Sequence, residues 1–176
     1  MKFAVLAAVA LALLFGAKCI AVRKDLVSER QAIDGDWEQV NTALQHRAGL
    51  LPDLETLVRS DAPAQAPALQ AVDEARIALS AASGQNEKIK ANARLDQALA
   101  RLMLQIENNS TLEAGKPYGD WLEALKAADY QIAMARRKYN EAVEHYNAGI
   151  DLFPSNIVAS LARLRKVDAY FQTPAI

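Results

Sequence analysis

Asp129, Glu107 and Glu113 are the carboxylates placed where they could do chemistry, with Arg47, Arg76 and Arg136 as their cationic counterparts. Brought into one cleft, Asp129 and Glu107 would act as general acid and base, while Arg47 and the phenols of Tyr139 and Tyr146 held a substrate. The same residue types serve a plainer purpose in a helical bundle. A guanidinium buried beside an apolar seam demands a carboxylate, and the resulting pair sets the register of the helices that carry it. The sequence favours this second use, because each arm contributes a charge near its apolar seam and no nucleophile motif accompanies them.

Other chemical signatures are missing. There is no Gly-rich phosphate loop, no His-x-x-x-His, no Cys-x-x-Cys and no Gly-x-Ser-x-Gly. His46 and His145 lie on different arms; they could meet in space, but with nothing arranging carboxylates around them they make a weak metal site. Cys19, the single cysteine, has no internal disulfide partner. A Tyr-Asn pair recurs as Tyr139-Asn140 and Tyr146-Asn147, two helical turns apart. The asparagines either bond across helices and fix register, or line a ligand groove with the tyrosines; a two-turn repeat favours register. No catalytic, cofactor-binding or metal-binding residue is assigned, and no small-molecule substrate is identified.

Positioning these residues requires long helices. The chain has 176 residues, 52% of them apolar, with few glycines and aromatics; an alanine- and leucine-rich mixture of this kind favours helix over strand. The net charge of −1 hides an asymmetry. Lys2, Lys18, Arg23 and Lys24 stand in residues 1–24 without an acidic residue, which leaves 16 basic against 21 acidic in the remainder. An acidic body argues against nucleic acid as a partner, since phosphate binding needs a basic face.

Phe3 to Ala17 is wholly apolar or glycine, and with Lys18 near one end the run extends to Val22. Twenty residues of helix cover about 30 Å, one bilayer core, and Lys18 can snorkel to the headgroups. A cleavable signal peptide is the alternative, giving a secreted or periplasmic soluble bundle, but Lys18 interrupts the cleavage regions near Ala17 and Ala21 and precludes a lipoprotein signal before Cys19. The expected division is therefore a transmembrane anchor over 1–24 and a helical body over 25–176. Lys18, Arg23 and Lys24 outweigh the N-terminal amine and Lys2 by one charge, favouring a body on the cytoplasmic side.

An apolar seam in three- and four-residue steps runs through Ile33, Trp37, Val40, Leu44, Arg47, Leu51, Leu54 and Val58. Pro52 predicts a kink near Leu50. Asp61 to Pro67 reads as a loop, and helical patterning resumes through Leu69, Val72, Arg76 and Leu79. Ser83-Gly84 marks a break or a kink before Ile89, Leu95, Leu99, Leu102 and Ile106, so the two pieces are either separate or one bent helix. After a second connection over Asn108–Thr111 and Gly115–Pro117, Asp120 and Glu123 resemble a capping box that would start the last long helix near Trp121. Its seam is Leu125, Ala128, Ile132, Ala135, Tyr139, Ala142, Tyr146 and Gly149, and Pro154 after Phe153 ends it. Ser155-Asn156 opens a short helix, Tyr170-Phe171 packs back, and Thr173-Pro-Ala-Ile is a frayed tail. The expected fold is all-α, an antiparallel bundle of three to four long helices with a short C-terminal helix, continuous with an N-terminal transmembrane helix.

These residues are similar to those of the LemA family of bacterial membrane-anchored proteins. The first arm carries Trp37 and the block Gln45, Arg47, Leu50, Pro52, Leu54, and the middle arm has Ala75-Arg76. The last arm resembles the family's longest pattern through Ile132, Ala133, Ala135, Arg136, Tyr139, Asn140, Val143, Tyr146, Asn147, Ile150, Phe153 and Pro154. Asp129 stands where the family commonly has glutamate, and Asn109-Ser110-Thr111-Leu112 replaces its usual Tyr-Pro-x-Leu. The resemblance implies a single-pass protein of the bacterial inner membrane with no established enzymatic activity. Trp37, Arg47, Pro52, Arg76, Asp129, Arg136, Tyr139, Asn140, Tyr146, Asn147, Phe153 and Pro154 are its structural or interaction residues. The function expected is a noncatalytic scaffold that contacts the bilayer through Phe3–Val22 and a membrane-protein partner or a second copy through its body.

Overall fold

A computed structural model of the chain describes residues 2–61, 63–107 and 115–172. Side chains at positions 4, 5, 7–9, 12 and 63 lie outside that description, as do Asn108, the Asn109-Ser110-Thr111-Leu112 segment, Glu113 and the Thr173-Pro-Ala-Ile tail. Among the described residues all regular structure is helical: α1 (Lys2–Gly49), α2 (Leu51–Asp61), a 3₁₀ turn (Pro63–Gln65), α3 (Ala66–Ala81), α4 (Gln85–Ile106), α5 (Lys116–Asp151) and α6 (Ser155–Ala162).

Proline and glycine set most of the boundaries. Pro52 has no N–H to donate to the carbonyl four residues back, so α1 stops at Gly49. The Leu50 N–H instead bonds the Arg47 carbonyl at 3.1 Å, a tighter turn. Pro67 sits in the first turn of α3, where a missing donor costs nothing. At Ser83-Gly84 the chain turns back, and α3 packs against α4 as a separate helix rather than continuing as one bent rod. The Glu87 carboxylate accepts from both the N–H and the hydroxyl of Ser83 at 3.2 Å, which fastens the start of α4.

The start of α5 corrects the sequence reading. The helix begins at Lys116, more than a turn before Trp121, because Pro117 is a first-turn residue rather than part of a loop. Asp120 is consequently no cap. It pairs with Lys116 at 2.7 Å along the helix surface. The helix ends at Asp151, a cis peptide joins Phe153 to Pro154, and Arg163 closes α6 in the left-handed conformation with φ 56°. Residues 164–172 follow without regular structure.

By contact the chain divides into two compact units. The first is Met1–Asp36 with Lys138–Asp168. Its core holds Leu26, Ile33, Tyr139, Val143, Tyr146, Ile150, Val158, Ala159 and Val167. Lys138 meets Asp36 at 2.7 Å, His145 lies 3.5 Å from Glu29, and Gly149 also faces Glu29. Numbers rise along α5 as they fall along α1, so the two helices are antiparallel here. The second unit is Trp37–Arg137 with Ala169–Ile176. Seam residues Val40, Leu44, Leu51, Leu54 and Val58 are buried in it with Leu69, Val72, Leu79, Leu95, Leu99, Leu102, Ile106, Leu125 and Ile132. Within this unit α1 and α4 run parallel, with Asn41 beside Lys88 and Arg47 beside Asn92; α5 runs against them, with Trp121 at Leu50 and Asp129 at Arg47. The boundary expected after residue 24 separates apolar from polar sequence, whereas this division follows packing.

Among the described residues no helix is long and apolar enough to cross a membrane. Positions 4, 5, 7–9 and 12 of the Phe3–Val22 run are among those whose side chains are not described. The large apolar side chains that are described there, Phe3, Leu6, Leu11, Leu13, Leu14, Phe15 and Ile20, are all exposed, and the first buried residue of α1 is Leu26.

Candidate functional site

Arg47 is the buried charge around which the second unit is built. It occupies a seam position on α1 between Leu44 and Leu51 and is only 5% exposed. A guanidinium held that far from water needs several acceptors, and its fork supplies donors in fixed directions. One terminal nitrogen contacts Asp96 Oδ1 of α4 at 2.6 Å and Asp129 Oδ1 of α5 at 3.0 Å; the other donates to Asn92 Oδ1 at 2.6 Å. Asn92 in turn donates to Asp96 at 3.1 Å. The contact to Asp96 is an ion pair off hydrogen-bonding alignment, and Arg47 Nε has no acceptor. Three helices are thus tied to one side chain.

The cluster opens on a cavity of about 320 Å³. Arg47, Asp96, Asp129 and Arg136 supply its charges, and apolar residues including Leu99, Met103 and Ile132 its walls. The carboxylate side chains keep contact with water, at 40% exposure for Asp96 and 50% for Asp129. Burial lowers the Arg136 pKa, with Asp96 opposing the shift and Arg47 adding to it. Its guanidinium lies 4.5 Å from the centre of the Phe171 ring, which stacks on Trp37 with centroids 6.2 Å apart. Two cations against two anions leave the cavity balanced, and its lining has no serine, cysteine, histidine or lysine. The arrangement suits a register lock.

The residues singled out in sequence divide between this cluster and others. Arg47, Asp129 and Arg136 come together, and Asn92 and Asp96 join them although sequence reasoning passed over both. The α4 seam was read from Ile89 to Leu95, and the polar residue one turn before Leu95 is the signal that marks Asn92. Glu107 is exposed and does not line the cavity, and Glu113 lies outside the described residues. Tyr139 and Tyr146 belong to the other unit. Arg76 pairs within its own turn, with Asp73 at 3.4 Å, rather than with another arm. Among the described residues no group of three or more His, Cys, Asp or Glu side chains could hold a metal ion.

The second Tyr-Asn pair has a use that neither sequence reading named. In the first unit Asn147 bonds Val167 twice, donating to its carbonyl and accepting from its N–H, both at 2.8 Å. Tyr146 donates to the Arg165 carbonyl at 3.1 Å. Together they satisfy the carbonyls of Arg165 and Val167 and the N–H of Val167 in a segment without regular structure. Tyr139 is fully buried on the same helix, and desolvation pushes its phenol up to about 12 against the opposing effect of Arg30. Phe153 is exposed and Pro154 half-buried, at the turn into α6.

The chain is similar to two magnetosome proteins of Paramagnetospirillum magneticum, MamQ 2 and MamQ 1, each 30% identical over 78 residues. It is also 27% identical over 78 residues to magnetosome protein MamQ of Magnetospirillum gryphiswaldense. Each match covers 44% of this chain and spans only 29% of the relative's length. A model of the LemA family matches residues 36–175, which takes in Arg47, Asp96, Asp129, Arg136 and both Tyr-Asn pairs. That match takes in most of the sequence, and this chain belongs to the LemA family.

Proposed function

We propose that this LemA protein is a single-pass, noncatalytic scaffold of the bacterial inner membrane, anchored by Phe3–Val22, whose helical body recruits membrane proteins or further copies of itself. The observation that carries the reading is the exposure of Phe3, Leu6, Leu11, Leu13, Leu14, Phe15 and Ile20 on a helix whose first buried side chain, among the described residues, is Leu26. An apolar face of that length is unfavourable in water and matches the thickness of a bilayer. The balanced charges of the Arg47 cavity support a structural rather than a catalytic body. The names of the magnetosome relatives suit a protein that serves an assembly. Basic residues Lys18, Arg23 and Lys24 favour a cytoplasmic body.

The test is made on the protein in its own membranes. Photo-crosslinkers at the exposed body residues Ile77, Tyr130 and Met134 should give discrete protein adducts from a membrane pellet in which the chain retains Lys2. A mature chain that begins near Ala17 or Ala21 and stays in the soluble fraction would establish the secreted bundle instead. A membrane-bound chain without adducts would remove the scaffold role.

A further inference from the structure

The turn after α5 carries apolar side chains that the fold does not use. Leu152, Phe153, Ile157 and Leu161 are exposed by 65%, 71%, 46% and 83%. Ile157 and Leu161 share one face of α6, four residues apart, while Val158 and Ala159 on its other side are buried and hold the helix to the first unit. The register of that unit fixes where Leu152 and Phe153 lie. Lys138 is opposite Asp36, and His145 and Gly149 are opposite Glu29. Both helices advance at the same rise per residue, so Leu152 and Phe153 come level with Val22 to Leu26, where the apolar run of α1 ends.

Charge at this level has the sign that an anionic surface requires. Residues 18–25 and 151–168 hold six basic side chains, Lys18, Arg23, Lys24, Arg163, Arg165 and Lys166, against Asp25, Asp151 and Asp168. Lys166 meets Asp151 at 2.6 Å. The remainder of an acidic chain is not so composed. Aromatic and aliphatic side chains beside arginine and lysine are the composition of an interfacial lipid contact.

We infer that the α5–α6 turn dips into the headgroup and upper acyl layer of the bilayer that holds Phe3–Val22, giving the chain a second, anionic-lipid-selective contact. This rests on the anchor reading, and continuity with the apolar run selects lipid over a protein partner. The contact fixes the tilt of the first unit on the membrane, which a lone helix leaves free.

The full chain with Cys19→Ser and a single labelling site, Leu161→Cys or Leu11→Cys, is reconstituted in phosphatidylcholine vesicles containing phosphatidylglycerol. An environment-sensitive fluorophore at either position should lose most of its emission to bromine carried on the lipid chains and little to iodide in the buffer. At position 161 the bromine quenching should weaken when phosphatidylglycerol is omitted or salt is raised, because the attraction of the basic residues is screened. Bromine quenching at 11 with iodide quenching at 161 overturns the second contact and leaves the anchor standing. Iodide quenching at both positions removes the anchor and this inference together. Shielding of position 161 from both quenchers means that protein covers the patch, which also overturns the lipid assignment. A Phe153→Cys label, at another exposed position, repeats the readout should a label at 161 disturb α6.

Discussion

Arg47 makes the energetics of its cluster asymmetric. Replacing the arginine by methionine removes the charge and fills the volume, leaving Asn92 Oδ1 and the buried Asp96 Oδ1 short of a donor, while Asp129 and the rest of the Asp96 side chain keep contact with water. The expected loss for Arg47→Met is about 2 kcal/mol, the lower end of the cost of two buried acceptors. Asp96→Ala with Asp129→Ala keeps the cation and takes both its countercharges, so the double variant should lose about 3–5 kcal/mol, towards the lower figure because the cavity admits water. Urea midpoints of the three proteins check the order; equal losses would mean that the pair is not what holds Arg47. Tyr139 gives a second prediction, with its sign set by burial. Its phenol titrates near 10.0 in the unfolded chain and about 12 in the folded one. Stability from this residue is complete below the lower value and is lost as pH climbs through the window, since only the unfolded chain releases the proton there. Tyr139→Phe should flatten that alkaline fall in a denaturation series.

The long α5 helix shows how one element serves two purposes. Its buried face carries Tyr139, Val143, Tyr146 and Ile150, and the neighbouring Asn147 reaches sideways to the backbone of Val167. Asn147→Ala should release residues 164–168 without unfolding α5. The loss of two bonds to the backbone is about 1–3 kcal/mol, felt locally. Hydrogen exchange would show the Val167 amide losing protection while Val143 keeps its own; unchanged protection at Val167 would refute the clamp. Helix seams and breaks at Pro52 and Ser83-Gly84 were legible in sequence, because apolar periodicity and backbone chemistry are local properties. The start of α5 was not, since Pro117 signals a loop and a first helical turn equally well. Nor was the destination of Asn147, because a side chain that bonds irregular backbone follows no period. At the Arg47 site the need for carboxylates was legible and Asp129 was named; Asp96, a partly exposed residue one turn beyond Asn92, lies off the apolar seam, so no period marks it.

At the scale of the whole chain the question is what an apolar helix of this length is for. Among the described residues burial of α1 begins at Leu26, and the large apolar side chains described before it are exposed. The membrane insertion proposed above accounts for this, and it makes a quantitative demand on the middle of the run. Leu11 and Leu14 are exposed by 68% and 69% and make no contribution to either unit's core. Aspartate at both should leave folding of the body intact yet oppose insertion by about 5–7 kcal/mol, at about 2.5–3.5 kcal/mol for each acidic residue near a helix centre. The Leu11→Asp, Leu14→Asp chain should therefore move from the membrane pellet to the supernatant with its helical circular dichroism and urea midpoint unchanged. A control pair of the same charge, Gln70→Asp and Gln97→Asp on exposed helix surface, should stay in the pellet. Retention of the first variant in the membrane would show that residues 1–24 are not the anchor, and that attachment comes from the body alone.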